Sequence, residues 1–184
     1  MGYGASKEVQ SESTVKIPTA GILAGVVLDS IALNEAADRL EFSFKQSNGA
    51  TVKHIEFEAK ENPYNTIEEQ QDLTNRKVKH IATKFMDEDA FIISSVDSFE
   101  AYAKAVSKLL TGKFEGKTVN VLFTYNKKGY VGLPKYPNFI EKGTVALADT
   151  ALVIGTKDVI TKTVVVPDTP EVEVAAAPLN DLPF

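Results

Sequence analysis

The sequence predicts a mainly β domain with two helices and a polar C-terminal segment, and three observations carry that prediction. Residues Arg39 to Lys45 alternate strictly, with Leu40, Phe42 and Phe44 on one face and Glu41, Ser43 and Lys45 on the other, the pattern of a half-buried strand. Asn48-Gly49 follows, a pair suited to the positive φ angles of a tight hairpin turn. Two stretches, beginning near Thr66 and near Asp97, instead repeat apolar residues at helical spacing behind capping patterns.

Size and composition narrow the classes. A chain of 184 residues suits one domain of about 100–150 residues with appendages. Its 43% hydrophobic and 24% charged content is that of a globular protein, and no apolar run approaches the roughly 20 residues of a membrane span. The N-terminus lacks the apolar core of a signal peptide, so a cytoplasmic protein without membrane partners is expected. The chain has no cysteine, and His54 and His80 are isolated, which excludes disulfides and thiolate zinc and leaves no cofactor to expect. No Ser/His/Asp or Cys/His arrangement and no paired-carboxylate spacing stands out, so a non-enzymatic role is expected.

In chain order, residues 1–16 read as a flexible polar arm and residues 17–166 as the folded domain. Gly21 to Leu33 reads as a curved first strand, with a bulge or bend at Gly25. A two-residue loop at Asn48-Gly49 would pair Phe42 with Ile55 and Leu40 with Phe57, all facing inward in a hairpin over 39–59. Thr66 and Glu69 form a capping box, and Thr74, Val78, Ile81 and Phe85 continue it into a helix over 67–86. Its basic residues Arg76, Lys77, Lys79 and Lys84 suit the negative end of the helix dipole. Asp87-Glu88-Asp89 reads as a solvated connection, and Phe91 to Val96 as a short strand. Asp97 with Glu100 caps a second helix over 98–111, which Gly112 ends.

Gly116-Lys117-Thr118 is no phosphate-binding P-loop, because position 111 is threonine and a helix here runs into a strand. Strand 118–126 turns at Asn126-Lys127-Lys128-Gly129 and returns through Tyr130 to residue 133. Pro134 and Pro137 keep Tyr136 and Phe139 in a loop outside any central ladder. Residues 144–166 are β-prone and predict one more hairpin about Gly155. Residues 167–184 hold four of the eight prolines and three consecutive alanines, and read as a disordered acidic tail.

Lys113 to Lys142 is both basic and aromatic, with six lysines against two acids and six of the chain's sixteen aromatic residues. Ammonium groups follow phosphates while exposed rings stack on bases of any sequence, which is what a single strand of nucleic acid requires. Lys113, Lys117, Lys127, Lys128 and Lys135 are the candidate phosphate ligands, and Tyr125, Tyr130, Tyr136 and Phe139 the candidate stacking rings. Val119, Val121, Phe123 and Tyr125 also fit an ordinary β-core with the lysines as its solvated face. The net charge of −5 does not oppose binding, since no base follows Lys162 while Asp168, Glu171, Glu173 and Asp181 do. The body is nearly neutral, so a basic stripe on it can attract phosphate locally.

The tail ends in Asp181-Leu182-Pro183-Phe184, an apolar tip beside a carboxylate that could anchor in a partner's pocket. In this tip the chain resembles the single-stranded DNA-binding proteins of bacteria and their phages, whose acidic tails finish in Asp-(Ile/Leu)-Pro-Phe. The order strand, hairpin, helix, hairpin is similarly that of their oligonucleotide-binding (OB) fold, a five-stranded barrel, here with the second helix as an insertion. The resemblance implies a protein that coats single-stranded DNA in phage replication, recombination or repair. It also implies recruitment of replication and recombination proteins through Asp181, Leu182, Pro183 and Phe184, and leaves homo-oligomerisation open. The chain departs from the family in having no tryptophan and only Asn180-Asp181 before the tip. A structural or adaptor virion protein, with a β-sandwich body and a docking tail, is the alternative, and a nuclease subunit a distant third.

Overall fold

The computed structural model describes residues 16–34, 36, 38–135 and 138–161. Among these, six strands form one antiparallel sheet: β1 (Gly21–Leu33), β2 (Arg39–Lys45), β3 (Thr51–Phe57), β4 (Thr118–Tyr125), β5 (Val131–Gly132) and β6 (Ile140–Lys142). Their order is β3-β2-β1-β4-β5, with β6 also lying along β4. Helices α1 (Ile67–Ala82) and α2 (Phe99–Leu110) occupy the connection from β3 to β4. Cα atoms of β3 and β5 come within 8 Å of each other, but no ladder joins them, so the sheet is open. The arm up to residue 15 and the tail lie outside the described residues.

β1 carries the bend expected of it. It pairs with β4 over Gly21 to Val27 and with β2 over Val27 to Leu33. Its register shifts between Leu23 and Val26, a step that contains Gly25, and again between Leu28 and Ser30.

The β2–β3 hairpin forms, but one residue out of the expected register: Phe42 faces His54 and Leu40 faces Glu56. The loop is the cause. Gln46 N–H donates to Ala50 O at 2.8 Å and Gly49 N–H to Gln46 O at 2.8 Å, with Gly49 at φ +81°. Three residues, closed by a left-handed glycine, therefore replace the two-residue turn. Because side chains alternate with period two, that single extra residue turns the return strand over. Glu56 is buried at 4% exposure, and Phe57 is 58% exposed. The β4–β5 hairpin repeats the construction, with Asn126 N–H donating to Tyr130 O and Gly129, at φ +76°, donating to Asn126 O.

Thr66 and Glu69 cap α1 reciprocally, as the sequence predicts. The helix ends at Ala82 rather than 86, where Lys84 and Phe85 turn back onto Ile81 O and Ala82 O. α2 is capped not by Asp97 but by Ser98, whose Oγ accepts from Ala101 N–H at 3.1 Å. The apolar stripes of both helices, Val78 and Ile81 with Ala103, Val106 and Leu110, join the strands in one core. That core contains Phe42, Phe44, Phe85, Phe123 and Phe139.

Two expected β elements are not strands. A 3-10 turn at Glu88–Ala90 leads into residues 91–96, which join no ladder among the described residues. The hairpin about Gly155 is absent from residues 144–161, and residues 162–166 lie outside the described ones. Instead this run lies irregularly along β4, held by Asn120 Nδ2 donating to Val145 O at 2.8 Å and by buried Leu152. β4 is therefore covered on both faces, and its Val119 to Phe123 are all buried.

Candidate nucleic-acid interface

The β4–β5 hairpin positions the clearest of the predicted site residues. Asn126 Oδ1 accepts from the backbone N–H groups of Lys128 and Tyr130 at 2.9 and 3.0 Å, which fixes the tip. Lys127 and Lys128 are exposed on it, and Tyr130 follows at 68% exposure. Tyr125, at the base of the hairpin, is half-buried, and its N–H donates to Val159 O at 2.6 Å. Lys135 is exposed in the loop that follows β5.

The remaining candidates separate from this group. Lys113 is exposed but precedes β4, while the hairpin follows it, and an eight-residue strand is roughly 25 Å long. Lys117 stands at the same far end, and its Nζ donates to Phe85 O at 2.6 Å, tying β4 to the turn after α1. Phe139 must be reassigned. It is fully buried at 0% exposure, so it belongs to the core and cannot stack on a base. Tyr136, Asp181, Leu182, Pro183 and Phe184 lie outside the described residues.

Phe139 still bears on the loop that carries Lys135. Its ring meets His80 of α1 edge-on at 5.2 Å and His54 of β3 at 6.2 Å. Burial, reinforced by the charge of Lys84, pushes the His80 imidazole down to about 4, so the ring is neutral near pH 7. Its Nε2 accepts the N–H of Asn138 at 3.1 Å, where the backbone takes a left-handed φ of 78°. The loop is thus pinned to α1 immediately before β6 begins.

Sequence reasoning missed two features. The first is the outward row on β2 and β3, where Arg39, Lys45 and Lys53 add cations, Arg39 being paired with Asp38 at 3.4 Å and Lys53 with Glu41 at 2.9 Å. Alternation in Arg39 to Lys45 signalled part of this row, but the assumed two-residue loop hid Lys53. The second is a buried polar cluster around Glu56. Its carboxylate accepts from Lys77 Nζ at 2.8 Å and Thr74 Oγ1 at 3.1 Å, and lies 2.7 Å from His54 Nε2. Burial acts to raise the Glu56 pKa, yet His54 and Lys77 outweigh it and hold the carboxyl below its usual value.

Among the described residues no group of histidines and carboxylates could hold a metal ion, and no helix is long and apolar enough to cross a membrane. What the hairpin offers is two exposed ammonium groups and an exposed ring. No family model, curated protein or solved structure matches the chain.

Proposed function

We propose that the chain is a non-enzymatic, single-stranded DNA-binding protein that coats and protects DNA in replication, recombination or repair. The observation that carries this reading is Tyr130, 68% exposed on a hairpin whose tip presents Lys127 and Lys128. A large ring left in water beside two ammonium groups fits a base stacked between contacted phosphates. The sheet supports the reading. An order of β3-β2-β1-β4-β5, with β5 drawn near β3 and α1 between β3 and β4, fits an OB barrel, whose β4–β5 loop and β2–β3 face bind oligonucleotides. Arg39, Lys45 and Lys53 stand on that β2–β3 face. The resemblance at Asp181 to Phe184 extends the proposal to recruitment of replication proteins.

The test is fluorescence anisotropy with mixed-sequence oligonucleotides. Nanomolar to micromolar binding to single strands, weak binding to duplex and a steep salt slope are expected; no binding at low salt would overturn the reading. Lys127→Glu combined with Lys128→Glu should weaken binding to all sequences alike, because phosphate contacts carry no sequence information. Losing two phosphate contacts should also flatten the slope of log K against log salt by about 1.4. An unchanged slope would place the phosphates elsewhere. Tyr130→Ala should cost about 1–3 kcal/mol in binding. Its melting temperature should stay near wild type, since the side chain is exposed. A variant that melts early while keeping its DNA affinity would make Tyr130 a structural residue.

A further inference from the structure

A cleft of about 660 Å³ opens between the end of β3, the outer side of α1 and the segment leading into α2. Its apolar lining includes Phe57, Phe91, Ile93, Phe99 and Tyr102. Phe57 is 58% exposed there, an unusual position for a ring with no solvent function. Behind it the Tyr102 hydroxyl is buried and has no hydrogen-bond partner among the described residues.

One wall of the cleft is a segment that the sheet leaves out. The chain turns at Phe91, where Ile92 N–H donates back to Ala90 O at 3.0 Å, and burial then alternates, with Ile93 packed on the core between Ile92, at 75% exposure, and exposed Ser94. No backbone N–H or C=O of residues 93–97 has a hydrogen-bond partner among the described residues. The β-propensity of this stretch is strong enough to predict a strand, and the structure supplies it with no neighbour.

Charge selects the occupant. Of the charged groups at the rim, Arg76 pairs with Asp72 at 2.9 Å and Lys79 with Glu88 at 2.8 Å. Glu58 and Asp97 have no ion pair among the described residues. A strand of phosphates would meet two free carboxylates, and the chain's own segment after Lys162 contains acids and no base. Two copies pairing antiparallel about Ser94 would set Asp97 against Phe91, and the rim cations that the second copy brings, Arg76 and Lys79, are already paired. We propose that the cleft binds an extended peptide of a partner protein, added as a strand along residues 93–97. A branched or aromatic side chain of that peptide fills the space between Phe57, Phe99 and Tyr102, and a lysine or arginine meets Glu58 and Asp97.

The full chain would be titrated into fluorescein-labelled Ac-Lys-Val-Phe-Val-Lys-amide and into the same peptide with glutamates for the lysines. Saturable binding of the basic peptide, at least tenfold tighter than the acidic one, is expected, with amide shifts confined to residues 93–97 and the cleft lining. Ser94→Pro and Ser95→Pro each remove one N–H, on opposite edges of the segment. One of the two should lose at least tenfold in affinity with its thermal unfolding unchanged. Glu58→Gln with Asp97→Asn, both exposed, should abolish the preference for the basic peptide without touching the fold. No binding at millimolar concentration, equal binding of the two peptides, or wild-type binding by both proline variants would overturn the proposal. Displacement of the peptide by oligothymidylate would overturn it too, by assigning the cleft to nucleic acid.

Discussion

Glu56→Ala is expected to lower the unfolding free energy by about 3–5 kcal/mol at pH 7, because it leaves the nearly buried Lys77 ammonium and the His54 ring without their shared acceptor. The loss has a pH signature. Glu56 has a folded pKa below its usual 4.5, so its stabilisation is fully present above that value and is lost as pH falls through the folded pKa. His80 acts in a different window. Its pKa is lowered from 6.5 to about 4, so stability drains between those values in wild type and variant alike. Urea unfolding from pH 7 to pH 3 should therefore give two curves that run parallel down to about pH 4.5 and converge below it. A gap under 1 kcal/mol at pH 7 would show that Lys77 and His54 find other partners or water.

Phe139→Ala should cost a further large amount, about 3–5 kcal/mol, by opening a cavity between α1 and β3 where the ring now meets His80 and His54. For a domain of this size that is a fall in melting temperature of roughly 10 °C or more. Phe139→Leu should recover most of it. Single-strand affinity, measured where each variant remains folded, should follow the position of the 133–138 loop and not the aromaticity at 139. Equal affinity of the leucine variant and wild type fits a core residue, whereas a loss confined to DNA binding, with melting unchanged, would return Phe139 to the stacking surface.

Much of the fold was legible because its signals are local. The alternation of Arg39 to Lys45, the Thr66–Glu69 box and the glycine of the Asn126–Gly129 turn each act within a few residues, and each stands where the sequence predicts it. Most of what failed depended on distance. Phe139 looked free because prolines flank its loop, but it lies under α1, whose His80 is 59 residues earlier. Phe91 to Val96 and the run about Gly155 have β-propensity without a partner, and propensity alone does not make a ladder. The register error was local but subtle, since Asn48-Gly49 serves a three-residue loop as readily as a two-residue one. On the candidate interface, nearness in sequence misled: Lys113 and Lys117 belong with Lys127 and Lys128 along the chain and at the other end of β4 in space.

The pairing of β1 has a mechanical consequence. Its two ladders overlap at Val27 alone, which faces Lys45 on one side and Thr118 on the other. The sheet is therefore two leaves bound to a common spine, β2 and β3 on the upper half, β4 with its neighbours on the lower. Opening or closing the angle between the leaves breaks few ladder hydrogen bonds, so backbone pairing does little to set it. The side chains between the leaves must set it instead, and Phe44 of one meets Phe123 of the other edge-on at 6.4 Å. The aperture of this domain is gauged by the width of two phenyl rings.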